Sequence, residues 1–181
     1  MATGKIVYYF EHGEITAGIC LSEKDNSYHL LLPGSKEINL QKKRAIHLSS
    51  YTVDISLPKD VQLSIAAEKT VLQKKISETI RIPDLWESLE NKGQLYDISF
   101  LTKEIFKNNS NSDREMAVIR SIMNDRVHFK MKNLQFLANT LEQVEELKIN
   151  SVIHDRTDNR HFPVRIGLIF ENLFCQKADI I

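Results

Sequence analysis

The spacing of apolar residues changes period near residue 58, and that change limits what the chain can fold into. Ahead of it the apolar side chains alternate. Ile6, Tyr8 and Phe10 do so first, then Ile15, Ala17, Ile19 and Leu21 within Glu14 to Ser22, as a half-buried strand requires. Between these runs Glu11-His12-Gly13-Glu14 supplies a short turn, with Gly13 free to adopt positive φ. Tyr28 to Leu32, a turn at Pro33-Gly34-Ser35, Ile38 with Leu40, Ile46 with Leu48, and a run near Tyr51 to Ile55 continue the pattern. Several short strands joined by tight turns predict a small SH3-like β-barrel over residues 1–56.

Past the change, Val61, Ile65, Leu72, Ile76 and Ile80 fall at steps of four and seven, with Lys69, Lys74, Lys75 and Glu78 between them. This spacing predicts a linking helix within residues 57–83, with Asp60 as N-cap and Pro83 as its stop. Residues 84–150 then show three further helix signals: Asp84 with Glu87, Ser99 ahead of Leu101 and Phe106, and Ser112-Asp-Arg-Glu115 as a capping box. The first should bury Trp86 with Leu85 and Leu89 and end at Gly93. Val127, Phe129 and Met131 alternate with His128, Lys130 and Lys132, and Leu134 to Leu137 follows. Three helices and a two-stranded hairpin are the order of a winged helix-turn-helix, closed by a helix that opens on the box Thr140 to Gln143. The expected class is α+β: barrel, linking helix, winged helix domain, and a tail at 151–181 in which residues 155–160 read as a polar loop and Val164 to Cys175 are strongly apolar.

Hydrophobic residues make up 42% and charged residues 27%, enough apolar surface for a core. The 24 Lys and Arg balance the 24 Asp and Glu, so any nucleic-acid binding must come from a local patch rather than global charge. Cys20 and Cys175 each lie in an apolar run and read as buried thiols, not a disulfide framework. With no signal core at Met1 to Lys5 and no apolar span, the expectation is a cytoplasmic protein with no membrane partner.

Catalytic patterns are scarce. The six histidines form no metal-like pair on one helix face, and no Cys-x-x-Cys, Gly-rich phosphate loop or nucleophile elbow occurs. His154, Asp155, Asp158 and His161 could be drawn as metal ligands, but a solvated loop accounts for them better. The expectation is no catalytic residue and no cofactor in this chain.

Local charge says more. Lys42, Lys43 and Arg44 fall between two predicted strands, where side chains reach solvent. Arg120, Arg126, Lys130 and Lys132 map onto the third helix and the wing, the elements that usually meet nucleic acid. Acidic residues collect elsewhere, at Asp84, Glu87, Glu90 and Asp97 and at Glu142, Glu145 and Glu146. These seven basic residues are the predicted phosphate-binding set for a nucleic acid. Tyr8, Tyr9, Phe10 and Tyr28 could stack bases if exposed, though aromatics in so small a barrel belong in its core.

The opening Gly4-Lys-Ile-Val-Tyr-Tyr-Phe-Glu-His-Gly-Glu-Ile-Thr-Ala-Gly-Ile-Cys-Leu21 resembles the start of certain bacterial ribonuclease II family proteins. Similar too are Glu37 to Ile46, Leu85-Trp-Glu87, Ile98 to Phe106, Asp125 to Lys132 and Glu142 to Leu147, so the likeness covers roughly residues 4–148. It is a pattern of spaced residues. In that family these modules precede a catalytic domain that hydrolyses RNA from the 3′ end with magnesium held by aspartates. The resemblance implies a non-catalytic, RNA-binding N-terminal region of an exoribonuclease. Its implied partners are single-stranded RNA and the catalytic domain of the same polypeptide, with magnesium confined to that domain. No aspartate cluster of the kind appears here, so the chain reads as a fragment or a stand-alone relative, and residues after Ser151 depart from the pattern. A winged-helix DNA-binding regulator and a protein-interaction module are the competing readings.

Overall fold

A computed structural model describes residues 1–89, 92–107 and 109–158 of the chain, with side chains as far as residue 150. The protein is mixed α+β and divides into two compact units, Met1–Val144 and Glu145–Ile181. Everything that follows concerns the first unit, apart from the run of the last helix.

The alternating segments become β1 (Lys5–Glu11), β2 (Glu14–Lys24), β3 (Ser27–Leu32), β4 (Lys36–Gln41) and β5 (Ala45–Thr52). They form one antiparallel sheet in the order β4-β3-β2-β1-β5. His12 and Gly13, both at positive φ, make the two-residue β1–β2 turn, the geometry that matches strand twist. Simple alternation predicts one buried face, yet Ile6, Val7, Tyr8 and Tyr9 are all buried. One face gathers Val7, Tyr9, Cys20, Leu30, Leu32, Leu40 and Ala45 into a core of its own, with residues from all five strands. The other presents Ile6, Tyr8, Ile19 and Leu31 to the helices. Register shifts in the β1–β5 and β2–β3 pairs bend the sheet enough for this. Among the described residues no pairing joins β4 to β5, so the expected barrel is an open, curved sheet.

Helix α1 (Lys59–Glu78) forms where the period changes, and part of the predicted face packs, with Ile65 and Ile80 partly buried against the core. Val61 and Leu72 lie exposed, and Gln62, Ala66 and Gln73 are buried. The groups that face Gln62 and Gln73 are polar and favour glutamine over leucine there. Gln62 Nε2 donates to the carbonyls of Ile55 and Leu57, while Gln73 Nε2 donates to the Tyr8 hydroxyl and to Asp113. Asp60 lies in the first turn rather than at the N-cap, which is Pro58. Pro83 starts the next helix, α2 (Ile82–Ser88), since its missing N–H costs nothing in a first turn.

A short strand β6 (Leu95–Tyr96) precedes helices α3 (Ile98–Phe106) and α4 (Ser112–Asp125), the hairpin β7 (Phe129–Lys132) and β8 (Gln135–Ala138), and helix α5 (Leu141–Asp158). The predicted two-stranded hairpin is the core of a three-stranded sheet, because Leu95 and Tyr96 pair with Leu137 and Phe136. α2 stops at Ser88, short of Gly93, whose N–H instead donates to the Ala138 carbonyl. α3 has Asp97 ahead of it as N-cap, and the Ser99 hydroxyl donates to Glu115. On α4 the cap lies one residue before the predicted Ser112: the Asn111 side chain accepts from the Arg114 N–H. The box Thr140–Gln143 is present in both directions, at 3.1 and 3.4 Å.

Trp86 is buried as predicted, donating its indole N–H to the Asn139 carbonyl at 2.7 Å beside the His128 ring. One continuous cluster of buried side chains runs from the sheet through Val53 and Ala66 to Trp86, Met116, Ile119 and Phe136. Cys20 is a buried free thiol, held above its ordinary pKa by burial. No helix among the described residues is long and apolar enough to cross a membrane. The segment expected as a loop from Asp155 is helical as far as Asp158, the last described residue of α5. Val164 to Cys175 lie outside the described residues.

Candidate nucleic-acid interface

The seven predicted basic residues fall into three situations. Lys42, Lys43 and Arg44 form a 3-10 turn between β4 and β5, the connection the sequence placed there. Lys42 is engaged: its ammonium lies 2.6 Å from Glu23 and over the Tyr28 ring. That hydrogen bond holds the Glu23 carboxyl below the usual range and raises Lys42. Lys43 and Arg44 are exposed, and an Arg44 Nη2–H points at the Phe10 carbonyl at 3.5 Å.

Lys130 and Lys132 lie exposed on β7. Directly paired residues of an antiparallel sheet share a face, so Lys130 stands with Leu137 and Leu95, and Lys132 with Gln135. Phe129 and Phe136 face the core on the other side. His128, expected to extend this polar row, is instead buried, its Nδ1 and backbone N–H both held by the Asp125 carboxylate. The carboxylate at the end of α4 pulls the ring inward against Trp86.

Arg120 departs furthest from expectation. It is only 8% exposed, because the α4 residues Met116 to Ile122 are buried as a continuous run. Its Nε and Nη2 are sealed from solvent with no hydrogen-bond partner. The signal lay in the spacing: Arg120 is four residues from Met116 and three from Met123, on the apolar stripe itself. Arg126 takes the left-handed C-cap of α4 and is exposed.

Arg120 and Arg126 line a cleft of about 780 Å³ with Phe10, Lys74 and Glu78. Arg44 adjoins it through Phe10. In the sequence alone Lys74 is an ordinary polar position on the linking helix. Only the folded chain brings α1, α4 and the β1–β2 hairpin together. Among the described residues, Lys43, Arg44, Arg126, Lys130 and Lys132 pair with no carboxylate, and no three His, Cys, Asp or Glu side chains gather as a metal site. Tyr8, Tyr9 and Tyr28 are buried core residues and Phe10 is half-buried. The chain matches no known family model, no curated protein and no solved structure.

Proposed function

We propose that this chain is a non-catalytic, single-stranded-RNA-binding region, of the kind that precedes the nuclease domain in ribonuclease II-type exoribonucleases. In this reading the curved five-stranded sheet is a variant of the SH3-like barrel. α2, α3, α4 and the β7–β8 hairpin are the winged helix, and magnesium belongs to a catalytic domain on the same polypeptide. The observation that carries it is the set of five exposed cations without carboxylate partners, on the turn before β5, the end of α4, and β7. Unpaired surface cations are where phosphates exchange for counterions. Leu95 and Leu137 beside Lys130 add apolar area that unstacked bases can cover.

The burial of α4 weighs against the DNA-regulator reading. A recognition helix must offer a free face to the major groove. Here Arg120 and Ser121 are buried, and Arg114 is folded back over the Phe106 ring and onto the Asn109 carbonyl.

The test is a Lys130→Glu/Lys132→Glu double variant, with Lys43→Glu/Arg44→Glu beside it. RNA affinity should drop for every sequence about equally, since phosphate contacts carry no sequence information. For the parent, log affinity should fall with log salt by roughly 0.7 per phosphate contact. Stability should change by no more than about 0.5 kcal/mol, because these side chains are exposed. Unchanged affinity in both variants would leave the protein-interaction reading as the better one.

A further inference from the structure

We propose that the cleft between the β1–β2 hairpin, α1 and the end of α4 is a binding site for a phosphate group, with Arg120 at its base and Lys74 and Arg126 at its rim. The site shares Arg44 and Arg126 with the RNA reading above but rests on Arg120 and Lys74, which that reading does not use.

The first ground is Arg120 itself. A guanidinium keeps its charge in proteins even when buried, and a buried charge is tolerated only when something compensates it. Among the described residues no carboxylate stands within ion-pairing distance of Arg120. Its electrostatic neighbour, the Tyr8 hydroxyl, is already engaged by Gln73. Nε and Nη2 are sealed and unpartnered, which leaves Nη1 as the nitrogen through which the group meets the cleft it lines.

The second ground is the rest of the lining. Lys74 and Arg126 are exposed cations without ion pairs, from two different elements, and Arg44 lies just beyond Phe10. Opposing them are Glu14 and Glu78 and the C-terminal ends of α1 and α4, which carry partial negative charge. Three lining cations and Arg44 outweigh two exposed carboxylates, so the balance favours a small, highly charged anion, bound weakly. The half-buried Phe10 ring gives the cleft an apolar wall beside that position. A phosphate could come from a free nucleotide or from the backbone of a single strand.

The experiment follows the melting temperature of the whole chain as inorganic phosphate replaces chloride at constant ionic strength. A ligand that binds the native state alone raises it saturably. The wild type should show that rise, and Arg120→Met should lose it while melting no lower than wild type in chloride, because an apolar chain of similar reach replaces an uncompensated charge. Equal rises in both proteins would mean only the general stabilisation that phosphate gives by exclusion, and would overturn the proposal, as would no rise in wild type. If Arg120→Met does not fold, the rim variant Lys74→Glu/Arg126→Glu decides. Its apparent phosphate affinity should fall at least about tenfold, the effect of roughly 1.4 kcal/mol, and an unchanged response overturns the site. Competition names the source. A uridine oligomer that displaces phosphate in an Arg120-dependent way assigns the site to the strand backbone. Displacement by uridine monophosphate alone assigns it to a free nucleotide.

Discussion

His47 on β5 sits against the Tyr8 ring, partly buried, with its Nε2 sealed from solvent 3.7 Å from a Glu115 carboxylate oxygen. That distance is beyond hydrogen-bond range. Burial therefore dominates and pushes its pKa below the ordinary value, although the Glu115 carboxylate pulls the other way. The folded state thus binds fewer protons than the unfolded state once pH nears the ordinary histidine value of about 6.5. Stability rises with pH wherever the unfolded chain holds more protons. It should then be highest above neutrality and fall as pH drops through about 6.5 toward the lowered native pKa. Urea melts at steps between pH 7.5 and 5 would show this, and His47→Leu should flatten that part of the curve. An identical slope in the variant would assign the effect to another histidine. Single residues also mark what a sequence can reveal. Lys130 and Lys132 were legible because strand alternation fixes their face, whereas His128 was not, because its direction is set by hydrogen bonds to the Asp125 carboxylate.

Among the elements, α4 was the clearest in sequence and the least expected in its surroundings. Its start was read one residue late, at Ser112, because the Ser-x-x-Glu pattern competes with Asn111 just before it. In the structure Ser112 and Glu115 have other partners: Ser112 meets Ser50 on β5, and Glu115 meets Ser99. Replacing Asn111 with Ala should cost about 1 kcal/mol in chemical denaturation, the usual effect of losing an N-cap oxygen. No loss would mean that another group takes over the Arg114 N–H. α1 teaches a different point. Its period announced a helix, and Ile65 and Ile80 pack as that period implies, but two of its fully buried positions are Gln62 and Gln73, because their neighbours present a tyrosine hydroxyl, an aspartate and backbone carbonyls. Periodicity counts apolar side chains and is blind to a polar interface.

For the molecule as a whole, the purified chain is expected to leave a labelled single-stranded RNA intact, with or without magnesium. Hydrolysis assisted by metal ions needs an acidic set to hold them, and the sequence contains no aspartate cluster. Steady shortening of the strand that stops on adding a chelator would defeat this. The strands, the long helix and the hairpin were legible in the sequence as elements; the buried cluster common to them was not, since it depends on which faces meet.

That common cluster decides where the chain can be divided. Ile6, Tyr8 and Ile19 of the sheet share it with Leu85, Met116 and Phe136, and Lys69 and Gln73 reach across to Asp113. A cut near residue 83 would strand apolar surface on both pieces and leave Asp113 without either partner. The sheet, α1 and the elements from α2 to β8 are therefore expected to fold together, and gene fusions should carry them as one piece.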